Sequence, residues 1–144
     1  MGLSSKKLAA AREASGRDPA LIAVAVGLTV PSYYDLEACE EDINTTVSLE
    51  QIVKLCAELN VPVTSLCEGP HESRPDKLDF GSIAASLRKY LNDHHLTQAA
   101  YEEQVGWSME GFLDQPSVAW QWNVDCLKDV CAPLGINWVD ALPE

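Results

Sequence analysis

The sequence predicts an all-α protein. Three observations carry that expectation. No segment alternates apolar and polar residues long enough to demand a strand, apolar residues recur at helical spacing, and helix-start and helix-stop residues bracket each apolar run.

Taken in order, Ser4 or Ser5 caps a first helix that runs through Ala14 and ends near Gly16. Asp18-Pro19 then sets an N-cap before a proline at the first helical position, where a missing N–H costs nothing. Ile22, Ala23 and Val26 form the apolar face of this second helix. Gly27 ends it, because glycine accepts the positive φ of a helix C-terminus. Pro31 opens a short third helix reaching about Leu36, and Ser48 caps another whose face is Ile52, Leu55, Cys56 and Leu59. Pro62 begins a final turn to Leu66. The segment EGPHESRPDKLD (68–79), with two prolines and dense charge, reads as a linker. The expected organisation is a first unit over 1–68, a linker over 69–79 and a second unit over 80–144, opening with Ile83, Leu87 and Leu91 on one helix face.

The two units repeat one another. At an offset of 79, Leu8 meets Leu87, Ala20 meets Ala99, Val26-Gly27 meets Val105-Gly106, Tyr33 meets Phe112 and Asp35 meets Asp114. The offset then becomes 75, pairing Leu49 with Val124, Ile52 with Leu127, Leu55 with Val130, Cys56 with Cys131, Leu59 with Leu134 and Val61 with Ile136. A single four-residue deletion in the second copy accounts for the change.

On these residues each unit resembles the lambda-repressor-like, Cro-type (XRE) helix-turn-helix domains. The resemblance in the first copy rests on Ile22-Ala23-Val24-Ala25-Val26-Gly27 followed by Leu28-Thr29, with Ser32, Tyr33, Leu36, Glu37, Leu59, Val61 and Leu66 also matching. In the second it rests on Leu96-Thr97-Gln98 and Gly106, while Glu102 replaces the small alanine and Pro116 replaces Glu37. The resemblance implies a five-helix, lambda-repressor-like domain duplicated in tandem, with Gly27 and Gly106 as structural turns. Two copies side by side could imitate the dimer that such domains commonly form.

The resemblance also implies where DNA would lie, with the start of helix two on phosphate and helix three in the major groove. If DNA is bound, the facing positions are Thr29, Pro31, Ser32, Asp35, Gln98, Ser108 and Glu110. Phosphate contact needs Lys and Arg, yet from Asp18 to Val53 and from Leu96 to Leu127 there is no cation. The first of these segments holds Asp18, Asp35, Glu37, Glu40, Glu41, Asp42 and Glu50. In the second copy, helix three would offer Met109, Glu110, Gly111 and Asp114 to the groove. Cations do occur on or beside first helices, at Lys6, Lys7, Arg12, Arg17, Arg88 and Lys89. The expectation is therefore a non-catalytic regulatory binding protein that works through a protein partner or self-association. DNA-binding transcriptional regulation through the first unit is the alternative, disfavoured by a net charge of −12.

The remaining constellations are weaker. Trp107 and Trp138 align with Leu28 and Val63 and read as core residues, whereas Trp120 and Trp122 fall in a shortened loop. Those two either mark a protein interface or fold back between the copies. Glu40, Glu41 and Asp42 are a second candidate protein-interface patch and read as a solvated loop, without the ligand spacing of a calcium loop. Five cysteines form no CxxC pair, so reduced thiols are expected, with Cys56 and Cys131 as small buried hydrophobes and no metal site. No cofactor fingerprint or catalytic motif is found; an enzyme would need a pocket between the copies lined by carboxylates of shifted pKa. No apolar run spans a bilayer and the N-terminus lacks a signal core, so a cytoplasmic protein without membrane partners is expected.

Overall fold

The computed structural model describes residues 1–71 and 78–143. Of the expected linker over 69–79, residues 72–77 lie outside the described residues. Among the described residues eight α-helices follow in order: α1 (Ser5–Ser15), α2 (Pro19–Val26), α3 (Val30–Ala38), α4 (Glu40–Thr45), α5 (Leu49–Leu59), α6 (Phe80–Asp93), α7 (Gln98–Val105) and α8 (Val124–Cys131). Short 3-10 turns cover Val63–Leu66, Pro116–Gln121, Ala132–Leu134 and Trp138–Ala141. The protein is all-α; among the described residues the sole β feature is an isolated antiparallel bridge between Leu3 and Cys67.

Local chemistry sets the helix boundaries. The Ser4 side chain accepts from the Lys7 amide to open α1, and Asp18 accepts from the Ala20 amide to open α2 ahead of Pro19. Gly27, at φ 78°, closes α2, and Thr29 caps α3 by accepting from the Ser32 amide. The bend between α2 and α3 is 107°. Ser48 and Gln51 close a reciprocal capping box at the start of α5. The same devices return in the second half at the offsets 79 and 75. Thr97 caps α7 where Asp18 caps α2, and Asn123 caps α8 where Ser48 caps α5. Gly106, at φ 88°, stands where Gly27 does, and the left-handed Asn60 and Gly135 correspond as well. Leu8/Leu87, Leu49/Val124, Ile52/Leu127, Cys56/Cys131 and Val63/Trp138 are all buried pairs.

Two expectations need correction. Glu40, Glu41 and Asp42 do not form a solvated loop; they are the first turn of α4. Three carboxylates suit the positive end of a helix, and the helix is held from below by buried Ile43 and Asn44. The Asn44 amide bonds the Leu3 carbonyl, and its oxygen accepts from the Leu3 amide at 2.8 Å, so α4 pins the N-terminus. The second correction concerns the second unit, which has no third helix. Residues 110–114 form successive turns, with Gly111 at φ 80° and Pro116 opening a 3-10 turn. Left-handed glycine and the clash that proline imposes on its predecessor both stop an α-helix here.

The two halves share one continuous core. The seam joins α4 and α5 to α8 and the Pro116–Gln121 turn. Across it the Leu49 amide donates to the Trp122 carbonyl at 2.8 Å, and Asn123 Nδ2 donates to the Thr45 carbonyl at 3.0 Å. Trp138 Nε1 donates to the Met1 carbonyl at 2.8 Å, tying the last turn to the first residue. Backbone groups satisfied across a seam fix its register, because leaving them unpaired on burial costs free energy.

Candidate functional site

The helix pair α2–α3 presents the surface that sequence reasoning singles out. Its inner side is packed: Ile22, Ala23, Val26, Tyr33 and Leu36 are buried. The small Ala23 lies beneath the corner and the Leu28 amide donates to its carbonyl at 2.8 Å, which closes the turn. Pro31, Ser32 and Asp35 face solvent on α3, beside the exposed Thr29. The Thr29 hydroxyl donates to Ser32 Oγ at 2.8 Å, so these two hydroxyls serve the cap and each other.

The nearest cations are already engaged. Arg12 on α1 donates from Nε to Glu37 Oε1 at 2.7 Å and from Nη2 to Oε2 at 3.0 Å, a two-pronged pair. Tyr33 donates its hydroxyl to the same Oε1 at 2.8 Å. The Arg12 guanidinium, helped by the Tyr33 hydroxyl, holds the Glu37 carboxyl below its usual range. Burial, followed by the neighbouring Glu37, pushes the Tyr33 phenol up. Arg17 is paired with the carboxylate and carbonyl of Glu58, and Lys7 Nζ donates to the Cys67 carbonyl at 2.6 Å. Lys7, Arg12 and Arg17 are thus bound to the protein itself.

On the outer side of α2 the surface is apolar, and Tyr34 of α3 adds to it. Leu21 is 62% exposed, Val24 74% and Tyr34 49%. Ala25 is exposed beside Val24. These residues were not singled out from sequence, because PALIAVAV has no polar position to tell an inner face from an outer one.

In the second unit the positions diverge. Gln98 begins α7, and its Nε2 donates to Glu102 Oε1 at 3.0 Å, an oxygen that also accepts from the Met109 amide. Ser108 and Glu110 are exposed, but in turns and not on a helix. Met109, expected to face the groove, is buried. Arg88 reaches across to the Leu113 carbonyl and Asp114.

Trp120 and Trp122 are half-buried at the seam, not displayed on an exposed loop. The Trp120 ring stands edge-on to Phe80 with centroids 4.8 Å apart. Trp122 packs against Trp107 at 4.9 Å and Phe112 at 4.6 Å. Aromatic pairs at these separations stabilise a core beyond their area alone. Beside Trp120 a shallow depression of about 480 Å³ runs between α5 and the C-terminal segment, over Glu50, Val53, Lys54 and Pro143.

Elsewhere, His71 Nε2 lies 3.0 Å from Asp140, with Asn137 at 3.2 Å from the other ring nitrogen, which docks the start of the linker onto the last turn. Sequence reasoning missed this contact, whose partners are 66 residues or more apart along the chain. Among the described residues no three His, Cys, Asp or Glu side chains gather as a metal-binding group, and no single helix is long and apolar enough to cross a membrane. Burial pushes the Cys56 and Cys131 thiols up to about 12. No protein-family model, curated protein or solved structure matches the chain.

Proposed function

We propose that the chain is a non-catalytic regulatory binding protein of the XRE helix-turn-helix type, built from two degenerate lambda-repressor-like units, which acts through protein contacts. The 107° bend across a three-residue, glycine-opened turn supports the helix-turn-helix reading. The recurrence of caps and left-handed residues at the two offsets supports the duplication.

One observation carries the choice of protein over DNA. The face that would meet phosphate has no cation of its own, and Arg12 and Arg17 beside it are committed to Glu37 and Glu58. Releasing either to a phosphate would leave a partly buried carboxylate uncompensated. The second unit supplies no substitute, since its third helix is replaced by turns.

Fluorescence anisotropy with random-sequence and genomic duplex DNA near ~50 mM salt tests this reading, because phosphate-driven binding is strongest at low salt. The expected outcome is no saturable binding. Tight binding that collapses as salt rises would overturn it in favour of a DNA-binding regulator.

A further inference from the structure

We infer that the outer face of α2, formed by Leu21, Val24 and Ala25, is a docking surface for a basic amphipathic helix of a partner protein. The inference rests on the protein-contact reading above and names the partner's chemistry. It begins from a helix with no polar residue in its eight positions. A helix that is apolar all round normally has every face covered. Here the inner face is covered by the core and the outer one is not: Val24 is 74% exposed and Leu21 62%.

The second unit provides an internal control. At the offset of 79, Leu21, Val24 and Ala25 correspond to Ala100, Glu103 and Gln104 on α7. Glu103 and Gln104 are exposed there, and α7 folds with the same kind of cap and the same left-handed glycine as α2. The scaffold therefore does not require apolar side chains on this face. The adjoining exposure of Leu21, Val24 and Ala25 on one helix face is not imposed by the cap and turn, and a contiguous apolar patch of this kind marks a surface that another molecule covers.

Charge selects the occupant. Asp18 at the start of α2 and Asp35 on α3 are exposed, and no cation lies between Asp18 and Val53. A second copy of the chain, with net charge −12, would bring carboxylates against carboxylates. Duplex DNA and an anionic membrane are repelled for the same reason. An amphipathic helix carrying Leu-type side chains on one face and Lys or Arg along its borders matches both the apolar side chains and the cation-free, acidic character of this helix pair.

The test uses the full chain and a synthetic Lys/Leu amphipathic peptide of roughly 18 residues, long enough to hold a helix, beside a scrambled peptide of identical composition. Methyl NMR of the wild-type protein should show shifts confined to Leu21, Val24 and Ala25 on adding the amphipathic peptide. The scrambled peptide should bind about tenfold more weakly, since only its charge remains to act. The Leu21→Ala/Val24→Gln variant copies the polarity of α7 without changing net charge and should keep its helical circular dichroism. Its affinity should fall about tenfold or more, because two exposed aliphatic side chains no longer become buried. Equal binding of the two peptides, or shifts spread elsewhere, overturns the inference. Concentration-dependent shifts at Leu21 and Val24 without peptide overturn it in favour of a second copy. These outcomes leave the protein-contact reading standing, whereas salt-sensitive binding of duplex DNA at the same methyls overturns both.

Discussion

Arg12 and Glu37, 25 residues apart, meet through two parallel hydrogen bonds of 2.7 and 3.0 Å that clamp α1 onto α3. At the offset of 79 their places are held by Leu91 and Pro116, and that of Tyr33, the third member of the network, by Phe112. All three of these positions carry apolar residues in the second half. Leu91 and Phe112 are buried, and α6 packs on the turn that Pro116 opens. The first half thus holds these positions with a charged network and the second with apolar packing. A half-completed exchange would leave an unpaired charge beneath the surface, the costliest of the possible outcomes.

Arg12→Leu alone should destabilise by about 2 kcal/mol, less than a fully buried pair would lose, because Arg12 keeps 20% exposure and Glu37 11%. Adding Tyr33→Phe and Glu37→Leu should return the stability to within about 1 kcal/mol of the wild type. Urea unfolding followed by circular dichroism measures both. A triple variant no better than the single one would show that the apolar solution does not transfer between units.

The same carboxyl governs an acid transition. The folded-state pKa of Glu37 lies below its ordinary value of 4.5, chiefly through the Arg12 hydrogen bond. A depressed folded pKa means that the stabilisation is present above the unfolded value and is lost as pH falls through the folded one. The stability difference between wild type and Glu37→Gln should therefore be constant near neutrality and shrink below about pH 4.5. A difference that grows on acidification contradicts the assignment.

Thiol chemistry separates the cysteines by depth. Cys39 is exposed, Cys126 is half-buried, and Cys56, Cys67 and Cys131 are buried. Burial pushes the Cys56 and Cys131 thiols up to about 12, leaving almost no thiolate at neutral pH. A chromogenic disulfide reagent at pH 8 should modify Cys39 at once and Cys126 more slowly. The three buried thiols should react only on the timescale of unfolding, as peptide mapping after timed quenching would reveal.

Trp122→Ala removes the ring lodged between Trp107 and Phe112 while leaving the backbone carbonyl that receives the Leu49 amide. The ring is half-buried, so the loss should be about 2 kcal/mol, below the range for a fully buried aromatic. Because the seam is part of one core, both halves should still melt together in a single transition. Separate transitions by calorimetry would mean that the halves fold independently.

Much of the fold could be read along the chain. The boundaries of α1, α2 and α5 follow from Ser4, Asp18-Pro19, Gly27 and Ser48, which act within a few residues of themselves. The missed α4 has a different logic. Its first turn is written in carboxylates that look like solvated loop, and what holds the helix is Asn44 reaching 41 residues back to Leu3. The absence of a third helix in the second unit is written locally, in Gly111 and Pro116, although the residues around them align with α3.

Local signals therefore account for the caps and ends of α1, α2 and α5 and for the apolar face of α5, since backbone conformation and apolar periodicity act over a turn or two of chain. Long-range packing decided the rest. Sequence listed Arg12 and Arg17 as cations beside a reading helix, and only the approach of α1 to α3 and α5 made them partners of Glu37 and Glu58. Sequence offered Trp120 and Trp122 as a surface, and the closing of the seam drew them inward. In an all-apolar helix such as α2, composition cannot say which side meets water. That depends on what the rest of the chain covers, and here it leaves Leu21 and Val24 outside.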